Sequence, residues 1–317
     1  MPKGPARRRL EQCACSLLVR WASLTAALLP LRALWAVADG AAYTVMVISP
    51  RRQRMAEANI AAAFPALSPA ECRGIRRRSV RNLTRTMLEM FKLPALSKEH
   101  IGSLVEGHAF EPVREALGQG SGVMVITAHF GNWELMGAYA SEYLAPLTVV
   151  ARDESNGGSG QVLNRLRRSH GTHVVGRTDA REMLRVLSAG GLLAVLPDQH
   201  AASGGQLLDF LGRPAWTFTG PAQLAARTGA RVFSAFGVRD FGGPFRVEVG
   251  PEITLVSSGD RAADVTENTR RINAAIEGAI RAHPDNWLWL HNRWKGQRGQ
   301  AEAESSTAES HAHAYHG

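Results

Sequence analysis

One short stretch carries most of the chemistry that the sequence offers, His129-Phe130-Gly131-Asn132-Trp133-Glu134. An imidazole takes up and releases protons near neutrality, and a carboxylate on one ring nitrogen fixes its tautomer and stabilises the imidazolium. The other nitrogen is then free to act as a general base toward a hydroxyl or an amine. Spacing alone leaves a second account standing, in which Glu134 complements a helix dipole and His129 is a satisfied interior polar group. Other signatures are missing from the chain: there is no G-x-S-x-G, no Walker A loop, no G-x-G-x-x-G and no H-E-x-x-H. Serine hydrolase, P-loop NTPase, Rossmann dehydrogenase and zinc protease readings therefore lose their usual support. His311, His313 and His316 fall in a polar stretch and are read as part of a flexible tail, so neither metal nor cofactor is expected.

The elements around this stretch suit the first account. Val123 to Thr127 is a continuous apolar run fit for a buried parallel strand, which puts His129 at the carboxyl edge of a sheet, where open α/β folds bind ligands. Gly131 and Asn132 permit a tight turn, Trp133 to Tyr143 reads as a helix, and Glu134 falls in its first turn, within reach of the His129 ring. Strands at Leu147 to Val150, His173 to Val175 and Leu192 to Leu196 alternate with helices at Gln161 to His170 and Asp179 to Ser188. A loop at Ala201 to Gln206, a helix at Pro221 to Thr228, and strands at Arg231 to Val238 and Phe245 to Val249 follow, the two strands paired across Gly242-Gly243. A last helix, Asp264 to Ala282, is stopped by Pro284. The expected architecture is α/β, a mixed and mostly parallel sheet flanked by helices. Upstream, Ser68-Pro69-Ala70-Glu71 is a capping box that should open a long helix. Its apolar members Ile75, Val80, Leu83, Met87, Leu88 and Phe91 form one face and Arg73, Arg76, Arg77, Arg78, Arg81 and Arg85 the other. That basic face is either solvated or offered to an anionic membrane or an acidic carrier.

The chain has 317 residues and a formal charge of +9, which favours anionic partners. Three cysteines, Cys13, Cys15 and Cys72, without a CxxC pair, argue for a reducing compartment. At the N-terminus Arg7 to Arg9 precede two apolar runs, Trp21 to Leu31 and Ala41 to Ile48, interrupted by Arg20, Pro30 and Arg32. No uninterrupted span of about 20 apolar residues is expected, and an interfacial or tilted anchor is. The organisation read from the chain is a membrane-associated segment over 1–50, a main domain over 51–297 and a disordered tail over 298–317. Nucleic-acid binding has only net charge behind it.

Thr127-Ala128-His129-Phe130-Gly131-Asn132-Trp133-Glu134-Leu135 resembles the signature of the bacterial lipid A biosynthesis acyltransferases. Further segments resemble that family in its own order: Ala58 to Pro65, Leu196-Pro197-Asp198-Gln199, Phe210 to Pro214, Gly220 to Ala225, Trp287 to His291 and Arg293-Trp294-Lys295. The resemblance implies a glycerolipid-acyltransferase-like fold on the cytoplasmic face of the inner membrane, with acyl carrier protein or coenzyme A as donor and a glycolipid as acceptor. It implies that His129 deprotonates the acceptor hydroxyl while Glu134 orients it, with no covalent intermediate. It assigns substrate binding to Asn132, Arg152, Asp198, Gln199, Arg213, Arg293 and Lys295, with Arg152 beside the oxyanion or a phosphate and the other basic residues toward glycolipid phosphates. Departures from the family pattern bear on the acceptor. Acidic Asp153 and Glu154 beside Arg152 disfavour a bis-phosphorylated disaccharide, so a less phosphorylated acceptor, another lipid such as a phosphatidylinositol mannoside, or an amine-bearing lipid remains open. A silent adaptor binding acyl carrier protein is the rival class, and it has no need of the His129 and Glu134 pair.

Overall fold

The computed structural model describes residues 19–151, 158–201, 204–240 and 245–295. Arg152, Asp153, Glu154, the Gly242-Gly243 turn, Cys13, Cys15 and the expected tail lie outside the described residues. Seven strands form one sheet: β1 (Val105–Glu106), β2 (Val123–Ile126), β3 (Leu147–Ala151), β4 (His173–Gly176), β5 (Leu192–Val195), β8 (Arg231–Arg239) and β9 (Phe245–Val249). Their order is β1-β9-β8-β2-β5-β3-β4, parallel throughout except for β8 against β9. β2 and β5 are buried at every residue, as continuous apolar runs in the middle of a parallel sheet should be. Helices cover both faces: α1 (19–28), α2 (Leu31–Ile48), α3 (Pro50–Ala63), α4 (Pro69–Lys92), α5 (Lys98–Leu104), α6 (Glu111–Gly118), α7 (Trp133–Tyr143), α8 (Gly158–Arg168), α9 (Ala180–Ser188), α10 (Gly220–Thr228) and α11 (Arg261–Ala282). Two apolar cores lie against them, one around Ile126, Phe130, Trp287 and Ile276 and the other around Val125, Leu135, Tyr139 and Phe233.

One element was not foreseen. β6 (Gln206–Phe210) and β7 (Arg213–Thr217) make a separate two-stranded hairpin whose two-residue turn is Leu211-Gly212, both at positive φ. That geometry suits a type I′ turn but disfavours leucine, so the usual Asn-Gly signal is missing; burial of Leu211 in the core compensates.

The long helix α4 (Pro69–Lys92) starts at the expected capping box, with Ser68 and Glu71 exchanging hydrogen bonds. Its faces differ from the expectation. Arg76 and Arg85 are buried, Arg76 pairs with Glu57 and Gln53, Arg81 and Arg85 share Asp39, and Arg78 meets Asp285. Most of the arginine stripe thus fastens neighbouring helices. The face turned to the sheet carries Ser79, Asn82, Thr86 and Glu89, all buried and spaced for one side of a helix. These groups serve the turn after β2: Asn82 Nδ2 and Thr86 Oγ1 both donate to the Gly131 carbonyl, at 3.1 and 2.8 Å. Glu89 accepts from Asn132 Nδ2, from Trp35 Nε1 and from Arg239.

The N-terminal region also departs from expectation. A helical segment over 19–28 is followed by α2 (Leu31–Ile48), an unbroken helix of 18 residues that is long and apolar enough to cross a membrane by length and composition. Asp39 does not break it, because Arg81 and Arg85 neutralise the carboxylate. Leu34, Ala38 and Ala42 pack inward, while Val37, Tyr43, Val47 and Ile48 are exposed.

Gly131 is at φ 52°, and a Cβ there would stand 1.5 Å from the Gly237 carbonyl oxygen. Gly131→Ala is expected to lower the unfolding free energy by about 3 kcal/mol, measured as a shift in the urea midpoint. An unshifted midpoint would show that the turn tolerates a side chain.

Candidate active site

β2 and β5 are neighbours in parallel register, Ile126 beside Val195. Three residues beyond each strand end, the same register brings His129 beside Asp198. His129 Nδ1 lies 2.9 Å from Asp198 Oδ1, and the His129 backbone N–H donates to Oδ2 at 3.1 Å. Trp287 Nε1 donates to the same oxygen at 3.0 Å. Asp198 is 2% exposed. Burial works to raise its carboxyl, and the charge and hydrogen bonds of His129, with the Trp287 N–H, outweigh that and hold it below the usual aspartate range. An ionised Asp198 accepts only, so Nδ1 carries the proton and Nε2 presents its lone pair. The Gln199 amide nitrogen lies 3.3 Å from Nε2.

The partner of His129 is therefore Asp198, and the expectation that Glu134 meets the ring is corrected. Glu134 lies at the second position of α7 (Trp133–Tyr143) and its carboxylate accepts from Arg167, Nε to Oε2 at 2.9 Å and Nη2 to Oε1 at 2.6 Å. Arg167 belongs to α8 (Gly158–Arg168) and also holds Asn164. Trp133 joins the two halves: its ring meets His129 edge-on, centroids 5.3 Å apart, and its Nε1 donates to Glu134 at 2.9 Å.

A cavity of about 600 Å³ lies beneath α7 and α8, lined by His129, Glu134, Arg167 and Gln199 and walled by Val125, Leu147, Val149, Leu163, Met183 and Leu192. Val125 of β2 and Leu147 and Val149 of β3 share one face of the sheet, and past the ends of β3 and β5 the cavity continues to Met183, Leu184, Pro221 and Leu224. An apolar cavity with a few convergent polar groups at one edge is the common form of a site for an apolar substrate.

The other expected site residues divide. Gln199 faces the cavity. Asn132 does not: its Oδ1 caps α7 through the Leu135 N–H and its Nδ2 bonds Glu89, so its side chain is spent on the turn. Arg293 is 0% exposed, donates to the Trp216 carbonyl and to Thr217 Oγ1, and stands over the Phe210 ring at 4.8 Å. Burial pushes its guanidinium down to about 10 against the charges of Asp198 and Glu277. It fastens the β6–β7 hairpin and is closed to a lipid phosphate. Arg213 lies half-buried over Trp294 at 4.7 Å and donates to Asn59 at 3.3 Å, and Lys295 is exposed. Sequence reasoning missed Arg167, the role of Trp287, and His291, whose Nε2 accepts the His200 backbone N–H at 3.1 Å and so pins the loop carrying Asp198 and Gln199. Trp287 and His291 bound the one segment, Trp287 to His291, that carries a signal for them.

A histidine held by a buried carboxylate at the edge of an apolar cavity is an arrangement suited to moving a proton beside an apolar substrate. The sequence model of bacterial lipid A biosynthesis acyltransferases matches residues 1–296, and the chain belongs to that family. It is an acyltransferase. It is 25% identical to the phosphatidylinositol mannoside acyltransferase of Mycolicibacterium smegmatis over 260 residues, 80% of this chain and 83% of that protein. It is 24% identical to the lipid A biosynthesis palmitoleoyltransferase of Escherichia coli over 249 residues, 77% and 79% of the two chains. With the lipid A biosynthesis lauroyltransferase of the same organism the identity is 24% over 278 residues, 84% and 87%.

Two outcomes follow from this geometry. Asp198→Asn leaves the shape intact but removes the charge that sets the tautomer, and kcat is expected to fall by about 10²- to 10⁴-fold with KM little changed; an undiminished kcat would remove Asp198 from the mechanism. His291 is pushed from 6.5 to about 4, chiefly by burial, with Asp198 opposing and His129 adding to the shift. The unfolded chain takes that proton first, so the stability His291 contributes is complete above pH 6.5 and is lost as pH falls from 6.5 toward 4. The urea midpoint should fall across this window, and less steeply in His291→Gln; parallel slopes would exclude His291 as the source.

Proposed function

We propose that this acyltransferase moves a fatty acyl chain from a thioester, carried by acyl carrier protein or coenzyme A, to a hydroxyl of a glycolipid at the cytoplasmic face of the inner membrane. The observation that carries the reading is His129 itself, with Nδ1–H on a buried carboxylate and Nε2 at the edge of an apolar cavity. The acyl chain occupies the cavity and its thioester carbonyl comes to His129. Nε2 takes the proton of the acceptor hydroxyl as that oxygen attacks the carbonyl carbon, and the C=O electron pair moves onto oxygen. When the pair returns, the C–S bond breaks and the thiolate takes the proton from His129, giving ester and free thiol. Asp198 stabilises the imidazolium between the two steps. Glu134 acts one remove from the ring: it holds Arg167 at the cavity and, through Trp133, the lie of His129.

The lipid A and phosphatidylinositol mannoside acyltransferases among the relatives support a glycolipid acceptor of either kind. The exposed apolar side of α2, with Arg32 at its start and Arg51 and Arg52 just past its end, supports a location at an anionic lipid surface. An adaptor that only binds the carrier would leave the His129–Asp198 pair without employment. The test is transfer from labelled acyl carrier protein and acyl-coenzyme A to a panel holding a lipid A precursor and a phosphatidylinositol mannoside, in detergent. His129→Ala is expected to lower the rate by about 10²- to 10⁴-fold. Parent-like transfer by His129→Ala would defeat the mechanism, and a parent protein that binds carrier yet acylates no acceptor would favour the adaptor.

A further inference from the structure

Thr127 is 3% exposed and lines the cavity, two residues before His129 on the same face of the strand. Its backbone N–H still donates to Val195 at 3.0 Å, so it continues the β2–β5 ladder and its side chain is held by the sheet. Its hydroxyl has no hydrogen-bond partner, and among the described residues it is the only such buried side-chain polar atom lining this cavity. The other polar groups at that edge are engaged: Glu134 with Arg167, Gln199 with His129. A buried hydroxyl left unpaired is costly, and here valine of the same shape would fill the space without that cost.

The order of side chains along the strand is informative. Val125, Thr127 and His129 all line the cavity at steps of about 6.6 Å. They run from apolar wall to hydroxyl donor to base. The reacting molecules have the same order, from acyl chain to carbonyl oxygen to acceptor hydroxyl. We propose that the Thr127 hydroxyl donates a hydrogen bond to the carbonyl oxygen of the bound acyl thioester and strengthens that bond as the oxygen gains charge. The proposal rests on the acyl-transfer reading above. Thr127 is then an oxyanion donor that a strand places before substrate arrives, which is the condition for such a donor to be effective.

The test is steady-state transfer by the full-length protein in detergent, comparing the parent with Thr127→Val, Thr127→Ser and His129→Ala. Thr127→Val is expected to lower kcat by about 10²-fold with little change in KM, and Thr127→Ser to restore most of the rate. A second readout uses acyl-coenzyme A labelled with carbon-13 at the carbonyl, bound to the inert His129→Ala protein. Its carbonyl stretch should lie at lower frequency than in His129→Ala combined with Thr127→Val, a shift that mere packing would not produce. Parent-like kcat in Thr127→Val, or an unchanged carbonyl band, overturns the proposal. So do equal losses in Thr127→Val and Thr127→Ser accompanied by a lowered melting temperature, which would mark a packing role. If His129→Ala keeps the parent rate, the acyl-transfer mechanism has failed. If His129→Ala is inactive and Thr127→Val is not impaired, only the assignment of Thr127 has.

Discussion

The site depends on how one helix holds one turn. The chain after β2 must reverse sharply to enter α7, and the turn leaves the Gly131 carbonyl and the Asn132 side chain in the protein interior. α4 answers with a buried polar stripe: Asn82 and Thr86 donate to Gly131 and Glu89 accepts from Asn132. Gly131 and Asn132 also use their backbone N–H groups on Asn286 and Gly237. Glu89 brings a charge below the sheet, and Arg239 from β8 neutralises it. A buried ion pair is weak evidence of net stabilisation, but removing either partner strands the other charge. Here that arrangement fixes where His129 leaves the strand, and it links three elements distant in sequence with Trp35 of α2 as a fourth.

The second support comes from the segment after the last helix. Asn286 accepts from Gly131, Leu288 donates to the His129 carbonyl, Trp287 binds Asp198 and His291 binds the loop after β5. His129 and Asp198 are thus both held by one stretch of six residues, 286–291, a compact reason for the tryptophan-rich spacing near the end of the described chain. Arg293 continues the same work by tying the β6–β7 hairpin to it. Its charge serves packing and carbonyl pairing at a place where the family resemblance had suggested phosphate.

The parts of this arrangement that could be read from sequence are those governed by local rules. The strand before His129, the helix from Trp133 to Tyr143 and the capping box at Ser68 all follow from apolar runs, periodicity and side-chain caps, and each is present. The β6–β7 hairpin escaped because Leu211 occupies a left-handed position that carries no turn signal. The buried face of α4 differs from the expected one because Leu83, Met87, Leu88 and Phe91 are only partly covered, while Ser79, Asn82, Thr86 and Glu89, polar by type, are buried toward the turn. A polar stripe at helical spacing looks solvated until its partner is known.

The same reasoning explains why Glu134 was given a place that belongs to Asp198. Nearness in sequence suggested the glutamate five residues on, but side-chain direction is set by the helix, and the second position of α7 points toward α8 and Arg167. The true partner is sixty-nine residues away and becomes adjacent only because β5 is inserted between β2 and β3. Once that order is known, the placement follows by counting. Parallel neighbours in register carry equal offsets to equal heights, so the third residue after β2 meets the third after β5. From β2 the chain passes to the β3 side, and from β5 it crosses back to β8 on the other, so the crevice between the carboxyl ends of β2 and β5 lies where the sheet changes direction. The chain leaves β2 for α7 against one core and leaves β5 for the β6–β7 hairpin and the helix Gly220–Thr228 against the other, so the two strand-end loops part and His129 and Asp198 face each other between them.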